Sequence, residues 1–201
     1  LFRSRGDVLR AFWNSLKIGL AASLTGMVSF TFIAYVAVNT RFRARRVLDF
    51  LTWLPAVIPG LVLGLGLLQM FAGIPLFRPV YGTLFVLVLA VVIGTLALGT
   101  QIIKASLLSL SAELEEASWT AGASRLYTFF RIVLPLIAPS VAVVGLEVFA
   151  TGISVVGLVA LLGTGATQPL SILQLIYLDS GFFEPAAIIG ILIATIRSEE
   201  H

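Results

Sequence analysis

The residues of this chain best placed to do chemistry cluster around one polar interruption, residues 113–140, ELEEASWTAGASRLYTFFRIVLPLIAPS. It carries Glu113, Glu115, Glu116, Arg125 and Arg131 between two long apolar runs. Within it, Glu116-Ala117-Ser118 is followed after three residues by Gly122, and after nine more by Ile132-Val133-Leu134-Pro135. The chemistry this spacing serves is recognition. A loop that only joins two helices has no need of it, whereas a surface that docks a second protein does. Bond-making chemistry has little to work with. No Ser/His, paired-Asp or metal-ligand set falls in the apolar runs, and a lone His201 makes no metal site. Cysteine is absent, so disulfides and cysteine nucleophiles are excluded. No Gly-rich Lys-Ser/Thr phosphate loop occurs, so ATP binding is not expected.

Apolar helices must position this segment. Of 201 residues, 59% are hydrophobic and 11% charged, with a mean hydropathy of +1.06. So little charge cannot cover the surface of a soluble globule this size, and the chain reads as an integral membrane protein. The basic residues sit at the ends of apolar runs, as membrane orientation requires, which argues against nucleic acid despite a pI near 9.7. A polar lead-in at 1–11 precedes a first span at 13–38. Arg41, Arg43, Arg45 and Arg46 then mark a cytoplasmic loop. A second span, 50–77, is interrupted by Pro55 and Pro59, with Gly60, Gly64 and Gly66 as a small-residue stripe for close helix contact. A third runs at 81–103 and a fourth from Leu136 to about Leu162. A short helix is expected at 170–178 and a last span from Phe183 to Ile196. This polytopic all-α fold of about five spans puts the polar segment on the side of the arginine loop. Lys and Arg then number eight inside and five outside.

Glu147 is the one charge well inside a span, Lys17 and Glu184 standing near span ends. It lies about 18 Å along a helix from Pro135, near mid-membrane, where a carboxylate normally faces a cavity or a partner. Two readings stay open: a place on a translocation path, or a hydrogen-bonded packing carboxyl. Gln69 and Gln101 are candidates for the same path and for interhelical hydrogen bonds. Asp179 and Glu184 fall outside, where a partner could dock.

Residues 113–121 read as a helix with Leu114, Ala117, Ser118 and Ala121 on one face. Gly122 permits a turn that a side chain would strain. Residues 123–131 read as a second short helix, and Pro135 suits the first turn of the next span. The product is an amphipathic helix–Gly–helix elbow parallel to the membrane.

EASWTAGASRLYTFFRIVLP resembles the EAA loop of the permease subunits of bacterial ABC importers, the binding-protein-dependent systems. The family pattern is E-A-A, three residues, G, nine residues, I-x-L-P. Ser118 departs from it, small for small. Trp13-Asn14-Ser15-Leu16 resembles the family's entry to its core, and Leu54-Pro55 with Pro59-Gly60 its second core helix. The resemblance implies a type I importer core, residues 1–201 as one transmembrane domain, and a cytoplasmic coupling loop at about 105–134. By position it assigns ATPase coupling to Glu116, Ala117, Ser118, Gly122, Ala123, Ile132, Leu134 and Pro135. It implies as partners cytoplasmic ABC ATPase subunits, a periplasmic or extracellular solute-binding protein, and a second permease half or second copy, in membrane lipid. It implies no cofactor, no enzymatic activity of the chain itself, and a place in the bacterial or archaeal cytoplasmic membrane. Gly122→Asp is expected to leave the protein inserted but uncoupled. Residues 162–187, with Thr167-x-Pro169-Leu170-Ser171 and Gly181-x-Phe183-Glu184-x-Ala186-Ala187, resemble the half-permeases of iron(III)-type importers. Permeases for thiamine, polyamines, phosphonates, sulfate and molybdate are similar. In the iron type one chain often holds two halves, and Leu1 would then open the second. The rival classes are a secondary transporter or channel, and a membrane scaffold.

Overall fold

The computed structural model describes residues 2–40, 43–154, 156–157 and 159–198, so the expectations for Leu1, Arg41 and His201 lie outside it. Helix α1 spans Phe2–Asn39, so the polar lead-in is the first part of the first span's own helix. It packs against α4, Leu84–Ser109, and α7, Leu134–Ser154. These three helices build the main core, with Ile18, Phe30, Leu87, Ile103 and Val144 fully enclosed. Close approach depends on small residues. A Cβ on Gly152 would stand 2.9 Å from Gly19 Cα, so α1 and α7 cross backbone to backbone there. At Gly99 of α4 the close neighbour is instead a side chain, the Phe30 ring of α1. Ser23 Oγ donates to Gly145 O at 2.7 Å across the α1–α7 contact.

Helices α2, Arg45–Val57, and α3, Gly60–Leu68, form a pair bent by 105°. Pro55 sits inside α2 without breaking it. The break is at Ile58, extended at φ −87° and ψ 123°, because the residue before a proline is pushed out of the helical region. The glycine stripe is only partly used. Gly64 is buried, but Gly60 and Gly66 are exposed, and a Cβ on Gly66 would meet nothing within 4 Å. A π turn, Gln69–Gly73, follows α3.

The fourth span ends at Ser154 and does not reach Leu162. The described residues of 156–169 are irregular, yet Val159 and Leu162 are fully buried. Their apolar character therefore serves the chain's own interior. Asn14 Nδ2 donates to Ala166 O at 3.0 Å and Gln168 O at 3.2 Å, and Ser15 Oγ accepts from Leu170 N at 2.8 Å. These bonds hold the loop and the start of α8, Leu170–Asp179, onto α1. Helix α9, Phe183–Ser198, packs on α8, and Ala11, Leu170, Leu173 and Ile189 make a second small core. Among the described residues, three helices are long and apolar enough to cross a membrane, and a fourth if the bent pair counts as one. The α8–α9 pair is shorter.

Candidate functional site: the elbow between two spans

Leu110 leaves the helical region at ψ 139° and ends α4, and Ser111 caps α5, Ala112–Thr120, its hydroxyl accepting from Glu113 N at 3.3 Å. Glu113 in the first turn suits the positive end of the helix. The C-terminus closes in a Schellman motif: Gly122 N donates to Trp119 O at 3.0 Å and Ala123 N to Ser118 O at 3.1 Å. Gly122 carries φ +86°, a conformation that L side chains rarely adopt. Ser124 then caps α6, Arg125–Thr128, accepting from Tyr127 N at 3.3 Å. The two arms are fastened across the turn. Ser118 Oγ and Thr128 Oγ1 are 2.8 Å apart and buried, and Arg125 lies 5.7 Å over the Trp119 ring.

Two expectations change here. Ser118 faces its own chain, which leaves Ala117 in α5 and Ala121 at its C-cap as exposed small residues. The second arm is also not a separate helix. Helix α6 continues through a π turn, Phe129–Val133, into α7, making one helix Arg125–Ser154. Leu134 N donates to Phe129 O, the wider bond of a π turn, just before Pro135, which has no N–H to give. The proline is thus absorbed by a π turn, and the elbow's second arm is continuous with a span. Phe129 packs edge-on against Tyr35 at 4.7 Å, which ties that turn to α1.

Glu116 and Ile132 line one cavity of about 330 Å³ between α5 and the ends of α1 and α4, with Val38, Leu107 and Trp119 in its wall. Ala117 and Gly122 are exposed, Ala123 is half-buried, and Leu134 and Pro135 open α7. The elbow residues therefore come together. The other candidates do not join them. Glu147 is exposed on the flank of α7. Gln69 is exposed at the start of the π turn after α3, while Gln101 Nε2 points to Asp49 Oδ1 at 3.4 Å. Asp179 and Glu184 are both exposed, on either side of Gly181 at the tip of the α8–α9 hairpin, beside exposed Phe182 and Phe183. Gly181 repeats the Gly122 device at φ +78°, with Phe182 N donating to Tyr177 O at 2.8 Å. Sequence reasoning gave no role to the turn at Gly181, nor to Thr128 and Asp49. For Gly181 a signal existed, a glycine just past an apolar helix. For Asp49 the partner is remote in sequence, and Thr128 meets Ser118 only across the turn.

A model of the binding-protein-dependent transport system inner membrane component family matches residues 22–197. The chain is 28% identical over 178 residues to the ferric transport system permease protein FbpB of Actinobacillus pleuropneumoniae, covering 89% of this chain and 26% of that protein. It is 31% identical over 153 residues to the molybdate/tungstate transport system permease protein WtpB of Pyrococcus abyssi, covering 75% and 58%. It thus spans about a quarter of the length of the ferric relative. A chain of the inward-facing MetNI methionine ABC transporter shares the fold at a TM-score of 0.75 and 16% identity, covering 98% of this chain and 94% of that one. The chain belongs to the binding-protein-dependent transport system inner membrane component family, the permease subunits that ABC importers set in the inner membrane.

Proposed function

We propose that the chain is one membrane half of an ATP-driven importer, and that the α5–Gly122–α6 elbow is where a cytoplasmic ATPase subunit docks. The observation that carries this reading is the elbow itself. The glycine of the EAA pattern sits at φ +86° in a capped turn, and its second arm is continuous with a span. A push on α5 therefore reaches α7 without a flexible joint. ATP hydrolysis belongs to the partner, and a second half, from another copy or an unlike chain, completes the path. The exposed tip carrying Asp179 and Glu184 is the place for a solute-binding protein. The test is a single cysteine in place of Ala117, in a chain with no cysteine of its own. In membranes holding the candidate ATPase, Ala117→Cys is expected to crosslink to it, with a yield that changes on adding ATP. A thiol at this position that is accessible from the cytoplasm yet never crosslinks overturns the reading.

The cargo is read as a cation, iron(III) first. Ferric permeases are among the relatives, and Glu147 is a carboxylate in a spanning helix. A carboxylate on the path attracts a cation and repels sulfate or molybdate. Glu147→Gln is expected to lower ferric uptake by roughly ten-fold with the protein level unchanged, since one intramembrane charge is removed. Uptake unaffected by the substitution removes Glu147 from the path. The oxyanion reading rests on the molybdate/tungstate relative, and molybdate uptake without ferric uptake would establish it.

A further inference from the structure

Outside the elbow, a charged cluster joins α2 and α4. Lys104 Nζ on α4 donates to Asp49 Oδ2 on α2 at 2.6 Å, and Gln101 Nε2 lies 3.4 Å from Asp49 Oδ1. The pair is partly shielded, with Lys104 22% and Asp49 31% exposed, so solvent and salt screen it less than an open surface pair. Asp49 also has cations at helical spacing on its own element, Arg45 and Arg46. Arg45 instead donates toward Thr40 O, and Asp49 reaches across to Lys104. The bond thus joins two helices where a bond within one was at hand.

Its position is informative. Helix α2 has a single buried residue, Thr52, so apolar packing holds it only lightly. At its far end comes the 105° bend into α3, where Leu61, Val62 and Leu65 stand exposed. Lys104 lies near the end of α4, which stops at Ser109 just before α5 begins. The path from elbow to bend therefore runs α5, end of α4, Lys104–Asp49, α2. We infer that Asp49 and Lys104 are positioning residues of coupling: their ion pair makes α2 follow the end of α4 when α5 is displaced. Gln101 supports Asp49 in that task. The inference rests on the docking of the elbow proposed above.

The test uses the complete importer, with its ATPase and binding protein, in proteoliposomes. Uptake per ATP hydrolysed is measured for Asp49→Lys, Lys104→Asp and the double exchange, each also in an Ala117→Cys background. Each single reversal is expected to cut uptake per ATP at least about five-fold, the low end of measured site-to-site coupling, while ATP hydrolysis continues. The double exchange is expected to restore most of it. A fold-only role would lower assembly and ATPase activity together and leave uptake per ATP unchanged. If a reversal does not assemble, Asp49→Asn, Lys104→Met and their combination take its place, and the combined variant should be no worse than either alone. Uptake per ATP unaffected by the single changes, or no rescue by the exchange, overturns the inference. The crosslink formed by Ala117→Cys keeps the two readings apart: its absence in the otherwise unchanged importer is a failure of the docking reading, whereas its persistence beside full uptake in Asp49→Lys is a failure of this one.

Discussion

Gly122→Asp is expected to uncouple uptake while the protein stays in the membrane at its normal level. Two effects combine. The backbone stands at φ +86°, where a β-carbon costs about 1–2 kcal/mol, so the Schellman closure of α5 weakens. The loss falls on a surface turn and leaves the α1–α4–α7 core untouched. A Cβ at this position would meet nothing of the chain within 4 Å, so the remaining damage is done to whatever docks there. A carboxylate in that contact adds an unpaired charge where Glu113 and Glu116 already stand nearby in sequence. Uptake is expected to fall at least about ten-fold, in the range set by site-to-site coupling energies. Gly122→Asn separates the causes, because asparagine matches aspartate in shape and tolerates the left-handed region. If Asn retains uptake, charge is responsible. If Asn fails as Asp does, the partner approaches too closely for any side chain. Normal uptake in Gly122→Asp would remove the elbow from coupling altogether.

Gly152→Val should prevent a stable protein from accumulating. The nearest atoms to a Cβ there are the Gly19 Cα at 2.9 Å and the Gly19 N at 3.3 Å. A side chain can swing away from such a clash, but a backbone cannot. Helices α1 and α7 would have to separate, and the contacts around Ile18 and Ile153 would go with them. Overpacking a rigid core costs about 1–3 kcal/mol and more where the neighbour does not yield. Alanine, which carries the same Cβ, should already lower the melting temperature of the detergent-solubilised protein. Gly66→Ala is the control, since its Cβ would meet open space, and it should melt like the parent. Equal melting of Gly152→Ala and Gly66→Ala would mean that the helices do not cross as described.

What is legible in the sequence has local causes. The apolar runs that become α1 and α4 announce themselves by length, and Gly122 by its place after a helical stretch. The elbow's spacing is readable because its residues lie within one short segment. Where two causes share one signature, sequence reasoning fails. Residues 156–162 are apolar because Val159 and Leu162 fill the fold, yet the same composition suits lipid. Pro135 reads as a helix start, because a π turn that absorbs a proline leaves no mark in the sequence. The stripe of Gly60, Gly64 and Gly66 has helical spacing, but spacing cannot say which of them meets a neighbour. Ser118 reads as part of the exposed face because Thr128, its partner, stands beyond the turn.

Helix α1 has a mechanical consequence. Its 38 residues make a rod of about 57 Å, nearly twice the hydrocarbon thickness of a bilayer. Near one end Val38 walls the cavity behind α5, and toward the other Asn14 and Ser15 hold the loop and hairpin that carry Asp179 and Glu184. A stiff rod turns a small rotation at its middle into opposed displacements at its ends, roughly 2.5 Å each for a 5° tilt at this length. The membrane crossing then acts as the fulcrum of a see-saw. The surfaces read as docking sites on the two sides of the bilayer ride on its opposite arms.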